Sequence, residues 1–93
     1  MKKILYRVGS GDTVFSVADK FGASPFSVIA ENMLTEEISA GDMLVITPAK
    51  KLYSVRLGDT LCSVAKKFNE DKNELSRKNG NVPYLFYGIK IEI

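Results

Sequence analysis

The sequence predicts an α+β protein built from two βααβ units, each a two-stranded antiparallel sheet with two helices packed on one face. The first observation behind this is a repeat. Tyr6, Val8, Gly11, Asp12, Thr13, Ser16, Val17, Ala18, Lys20 and Phe21 recur without a gap as Tyr53, Val55, Gly58, Asp59, Thr60, Ser63, Val64, Ala65, Lys67 and Phe68, a spacing of 47 residues. The register persists at Asn32 and Asn79, Gly41 and Gly88, and Ile46 and Ile93, so about a third of the aligned positions are identical. A fixed period of that length implies two copies of one folding unit. The second observation is that apolar spacing within each copy passes from alternation to helical periodicity and back. The third is that glycine, asparagine and proline stand where the spacing changes.

Taken in order, Lys3 to Val8 alternates through Ile4, Tyr6 and Val8 and reads as a strand. Gly9, Ser10 and Gly11 break it. Asp12 or Thr13 can accept hydrogen bonds from the free amides of a following helix, whose buried face is Val14, Val17, Ala18 and Phe21. Gly22 suits the left-handed cap that ends it. Ser24 and Pro25 supply an N-cap and a first helical residue for a second helix ending near Asn32. Met43 to Ile46 is the closing strand, and Ala49 to Leu52 is a linker too short to let the units separate far.

The second copy follows the same plan. Its strand is Tyr53 to Val55, its first helix buries Leu61, Val64, Ala65 and Phe68, and Asn69 takes the capping place of Gly22. Asp71 and Glu74 have the spacing of a reciprocal capping box, and Ile89 to Ile93 alternates as the last strand. A lone strand pair is marginal in water, so the first and last strands of each copy are expected to pair beneath both helices. The expected units are residues 4–48 and 51–93.

Units of this size are close to the lower limit of independent folding and need a staple or a neighbour. The single cysteine, Cys62, excludes an internal disulfide, and the absence of histidine removes the commonest zinc ligand and every histidine-based catalytic arrangement. No metal, cofactor or catalytic residue is expected. Residues 1–47 carry four basic and six acidic side chains, whereas residues 48–93 carry nine and five. The basic residues of the second half are interspersed with Glu70, Asp71 and Glu74, which reads as a solvated surface and not as a nucleic-acid footprint. Met1, Lys2 and Lys3 precede only Ile4, Leu5 and Tyr6 before Arg7, too short for a secretory core, so cytoplasmic synthesis is expected. No apolar run approaches the ~18 residues of a membrane span, so no membrane insertion is expected.

Strand, Gly-Asp-Thr turn, helix and a later asparagine together resemble the lysin-motif (LysM) family. In the first copy the resemblance continues through Asn32, Met33, Leu34, Ile38, Gly41, Leu44, Ile46 and Pro48. It covers the chain from about Leu5 to Ile93. The resemblance implies a non-catalytic module binding N-acetylglucosamine glycans, bacterial peptidoglycan before chitin, and acting at a cell wall, spore envelope or phage particle. It implies a shallow groove between the Gly-Asp-Thr turn and the loop after the second helix. The corresponding residues are Gly11, Asp12, Thr13, Val14, Asn32, Met33, Leu34 and Thr35 in the first copy, and Gly58, Asp59, Thr60, Leu61, Asn79, Gly80 and Asn81 in the second.

Each has a structural reading as well. The Gly-Asp-Thr turns cap helices, and Asn32 and Asn79 are expected first to lock loops by bonding to backbone. Asn81 in place of Leu34, and Ser76 in place of Ile29, weaken the apolar wall expected in the second copy. Glu36 and Glu37, adjacent loop acids, read as solvated and not as a hydrolytic pair. Phe15 and Cys62 are expected to be half-exposed packing residues. Tyr84, Phe86 and Tyr87 suit a contact between repeats, with sugar stacking or self-association as alternatives. A protein–protein scaffold in a cytoplasmic, spore-coat or phage assembly is the competing functional class.

Overall fold

The computed structural model describes residues 3–82 and 84–93. Met1 and Lys2, weighed above as the opening of an export signal, lie outside the described residues. The elements are β1 (Ile4–Arg7), α1 (Val14–Phe21), α2 (Pro25–Glu31), β2 (Met43–Ile46), β3 (Leu52–Ser54), α3 (Leu61–Lys67), α4 (Lys72–Lys78) and β4 (Lys90–Glu92). β1 pairs antiparallel with β2, from Ile4 opposite Ile46 to Arg7 opposite Met43. β3 pairs antiparallel with β4, from Leu52 opposite Glu92 to Ser54 opposite Lys90. The architecture is thus two βααβ units.

Local chemistry sets the helix ends. The Thr13 hydroxyl accepts from the Ser16 amide at 3.1 Å, while Ser16 Oγ accepts from the Thr13 amide at 2.9 Å. Thr60 and Ser63 do the same. These are capping boxes with serine in the place more often held by glutamate. Gly22 ends α1 in the left-handed region at φ 68°, and Asn69 adopts φ 54° just beyond α3.

The second-helix caps depart from expectation. Asp71 caps α4 by accepting from the Asn73 amide at 3.1 Å, but Glu74 does not reach back to complete a box. Its carboxylate takes a 2.6 Å bond from Arg77 one turn ahead, a charge-assisted bond stronger than one from a neutral amide. Ser24 occupies the N-cap of α2 without capping it through its side chain. Its hydroxyl is buried and has no partner among the described residues. α2 is started by Pro25 and by the Ser24 carbonyl, which accepts from the Val28 amide at 3.1 Å.

Each unit has its own core. Val17, Ala18, Val28, Leu44 and Ile46 are the centre of the first, and Val64, Leu75, Val82 and Ile91 of the second. Phe21 and Phe68, expected to be buried, are only partly so. They meet Tyr6 and Tyr53 edge to face at 5.1 and 5.2 Å, with Lys20 and Lys67 over the tyrosine rings. The pattern closes the edge of each small core with rings and an aliphatic lysine stem instead of with deep burial.

Asn32 and Asn79 hold helix to sheet. Asn32 Nδ2 donates to the carbonyls of Val28 and Val45, and its Oδ1 accepts from the Val45 amide, all within 2.9 Å. Asn79 repeats this with Leu75 and with both backbone groups of Glu92. One side chain therefore satisfies an outer-edge strand residue and a helical carbonyl together.

The units are joined by more than their linker. Phe26 of α2 packs against the second core, and its ring stacks on Phe86 with centroids 5.9 Å apart. Ser27 Oγ donates to the Lys78 carbonyl at 2.7 Å, Lys90 pairs with Asp19 at 2.6 Å, and the Ala49 amide donates to the Gly22 carbonyl at 2.9 Å. The first unit thus lends an aromatic side chain to the second, the kind of neighbour that an undersized core needs.

Candidate functional site: two clefts flanking an aromatic seam

In the first unit a cleft of about 280 Å³ opens between the start of α1 and the loop after α2. Val14 and Phe15 form one side, Leu34, Thr35, Glu36 and Glu37 the other, and Ile29 of α2 contributes apolar surface. The geometry follows from the capping box. Thr13 takes the Ser16 amide, so the amides of Val14 and Phe15 belong to the first turn and have no acceptor within the helix. The cleft thus sets an apolar lining beside first-turn amides that are left without a helical acceptor.

The corresponding cleft in the second unit, about 270 Å³, is lined by Asp59, Thr60, Leu61, Cys62, Lys72, Tyr84 and Leu85. Its wall is made differently. Asn81 adopts a left-handed φ of 61° and is exposed, and Val82, one residue later, enters the core. Ser76 secures this turn by donating to the Val82 carbonyl at 2.7 Å. In the first unit Leu34 itself packs against the core, so the apolar anchor has moved one position along the loop. Tyr84 and Leu85 then supply the surface that Leu34 and Thr35 supply in the first unit.

The structure distributes the expected site residues unevenly. Val14, Leu34 and Thr35 line the first cleft, and Asp59, Thr60 and Leu61 line the second. Gly11, Asp12, Thr13 and Gly58 form the turns beside them. Met33 is 84% exposed at φ 49° and projects outside the cleft lining. Asn79 is fully buried with its amide committed to the backbone, which takes it out of reach of any ligand; Asn32 makes the same bonds from a half-buried position. Gly80 lies against α2 of the first unit, where a Cβ would stand 2.5 Å from the Phe26 carbonyl oxygen. Phe15, Glu36 and Glu37 are cleft residues that sequence reasoning treated as packing or solvated. Their position beside Val14 and Leu34 in the chain was the available signal.

Asp12 and Asp59 serve the turns. Asp12 accepts from the Tyr6 hydroxyl at 2.5 Å and from the Gly9 amide at 2.8 Å, and Asp59 accepts from Tyr53 and the Arg56 amide at the same distances. These bonds, the tyrosine first, hold both carboxyls below the ordinary aspartate range, and the same contacts raise both tyrosines. A carboxyl lowered in the folded state stabilises the fold above its unfolded pKa and loses that contribution as pH falls through the folded one. A raised tyrosine stabilises below its unfolded pKa and loses that contribution as pH rises. The melting temperature is therefore expected to fall below pH about 4 and again above about 10. Tyr6→Phe with Tyr53→Phe should flatten both limbs, and an unchanged profile in that double variant would assign the pH dependence elsewhere.

Among the described residues no group of acidic and cysteine side chains gathers that could hold a metal ion, and no helix is long and apolar enough to cross a membrane. The family profile of the LysM domain matches residues 6–47 and 53–91. The chain belongs to the LysM family. LysM domains bind peptidoglycan-type glycans and are binding modules, not catalysts. The spore cortex-lytic enzyme SleL of Bacillus cereus is a similar solved structure, 26% identical over 100% of this chain and 22% of its own, with a TM-score of 0.49. SleL of Bacillus megaterium QM B1551 is another, 28% identical over 96% and 22%, with a TM-score of 0.47. The chain thus spans about a fifth of the length of either enzyme. Curated proteins contain no match.

Within the LysM frame the two clefts occupy equivalent positions on LysM repeats one and two, and they differ in character. That of repeat one has an apolar wall edged by Glu36 and Glu37, whereas that of repeat two has Cys62, Lys72 and the Tyr84 ring.

Proposed function

We propose that this protein is a non-catalytic module that holds N-acetylglucosamine-containing glycans, bacterial peptidoglycan above all, with repeat one as the principal binder. The two units are taken as residues 4–48 and 51–93, and the place of action as a cell wall, spore envelope or phage particle. The observation that carries the reading is the repeat-one cleft. It sets Val14, Ile29 and Leu34 beside first-turn amides in a shallow opening edged by the exposed Glu36 and Glu37, a surface matched to an acetamido group.

Retention on purified peptidoglycan, competed by N-acetylglucosamine oligomers, is the direct test. Leu34→Asp sets a charge where an apolar side chain packs against the first core, so it is expected to lower the melting temperature and, at temperatures where the variant stays folded, to weaken oligomer binding by on the order of tenfold or more. Unchanged affinity in a folded variant would remove Leu34 from the site. Absence of retention together with self-association would replace glycan binding by the scaffold function.

A further inference from the structure

We propose that the seam between the repeats is itself a carbohydrate subsite, joining the two clefts into one track for a single glycan strand. The inference rests on the glycan-binding reading above and extends it to a surface that neither repeat has alone.

The seam holds an open trough of about 330 Å³ lined by Phe15, Phe86, Tyr87, Gly88 and Ile89. A second trough of about 310 Å³ adjoins it, sharing Phe15, Gly88 and Ile89 and edged by the Asp19–Lys90 pair. Phe15 also lines the repeat-one cleft, so one exposed ring borders all three openings. On the other side, Tyr84 lines the repeat-two cleft and meets Phe86 edge to face at 5.0 Å. A path therefore runs from the first cleft over Phe15 to Phe86 and Tyr87, then to Tyr84 and the second cleft.

The repeat supplies an internal control on what these rings are for. Phe86 and Tyr87 occupy the positions of Ser39 and Ala40 in repeat one, which folds without an aromatic at either. The fold of a unit thus does not require them. Phe86 is accounted for by its stack on Phe26, which also fixes its ring in place. Tyr87 is 74% exposed and Phe15 59%, and their rings serve neither core. Exposed rings on a fixed backing, with hydroxyl-seeking polar groups along one edge, present what the apolar face and the rim hydroxyls of a pyranose each need. A polymer leaving the first cleft past Phe15 meets that surface next. The second contact is then intramolecular, which raises affinity for long chains and leaves short ones unaffected.

The test is a titration of N-acetylglucosamine oligomers of increasing length against the parent, Leu34→Asp and Tyr87→Ala. Tyr87→Ala is expected to bind the short oligomers as the parent does and to lose on the order of five- to tenfold on the long ones. In the parent, the Tyr87 ring resonances should shift with long oligomers only, a readout that stands even if the variant is unstable. Parent-like affinity of Tyr87→Ala at every length, or Tyr87 resonances that stay still, overturns the seam while Leu34→Asp still reports on the cleft. Loss of concentration-dependent self-association in Tyr87→Ala, with glycan binding untouched, overturns it in favour of a second copy of this chain. If the parent binds no oligomer, both readings fall.

Discussion

Asn79→Ala is expected to unfold the second repeat while the corresponding Asn32→Ala only weakens the first. The side chain of Asn79 is fully buried and bonds three backbone groups, two of them the amide and carbonyl of Glu92. Alanine leaves those two groups without a partner beside a core that excludes water, at a cost of roughly 2–5 kcal/mol together. A unit of some forty residues has little more than that to lose. Asn32 makes equivalent bonds but is half-buried, so water can replace part of what alanine removes. Thermal melts followed by circular dichroism should show the difference, and amide exchange should show β4 losing protection before β3's flanking turn. If Asn79→Ala melts with the parent, the bridge from α4 to β4 is not what holds that strand.

The element order was readable because two copies of one pattern check each other. A run such as Leu61 to Phe68 is ambiguous by itself, but its match to Val14 to Phe21 makes the helix secure, and the Thr13–Ser16 and Thr60–Ser63 boxes show the local chemistry agreeing with it. Caps that depended on competition were less readable. Glu74 had two bonds open to it, and the one to Arg77 was decided by charge.

The seam was harder to read, because a repeat alignment rewards likeness and the seam is made from differences. Phe26 faces Asn73 in that alignment, Ala30 faces Arg77, and Phe86 faces Ser39. Each was a sign that one copy's outer surface is another's buried contact. The make-up of the repeat-two wall was hard to read for a related reason. Asn81 opposite Leu34 suggested a lost wall, yet a left-handed residue there lets Val82 take the core position and leaves the wall to Tyr84 and Leu85. A one-residue shift inside a loop cannot be seen by counting positions, since backbone conformation decides which side chain points inward.

Gly80→Ala is expected to open the seam. The residue adopts φ 73°, which alone costs a substituted side chain about 1–2 kcal/mol. Its distinctive difficulty is space. An added Cβ would stand 2.5 Å from the Phe26 carbonyl oxygen and 2.9 Å from the Ala30 Cβ, so α2 of the first repeat and the α4–β4 loop of the second must move apart. The obstacle is helix backbone, which has no rotamer by which to yield. Displacing it disturbs the Phe26–Phe86 stack and the Ser27–Lys78 bond together. Gly22→Ala is the matched control, because Gly22 has nearly the same φ, 68°, with no atom of the described residues within 4 Å of an added Cβ. Gly22→Ala should lower the melting temperature by the backbone cost alone. Gly80→Ala should lower it by clearly more and split one transition into two, since the second core loses the ring that Phe26 lends it. Equal effects from the two variants would mean that the repeats separate freely, and the track across the seam would lose its rigid floor.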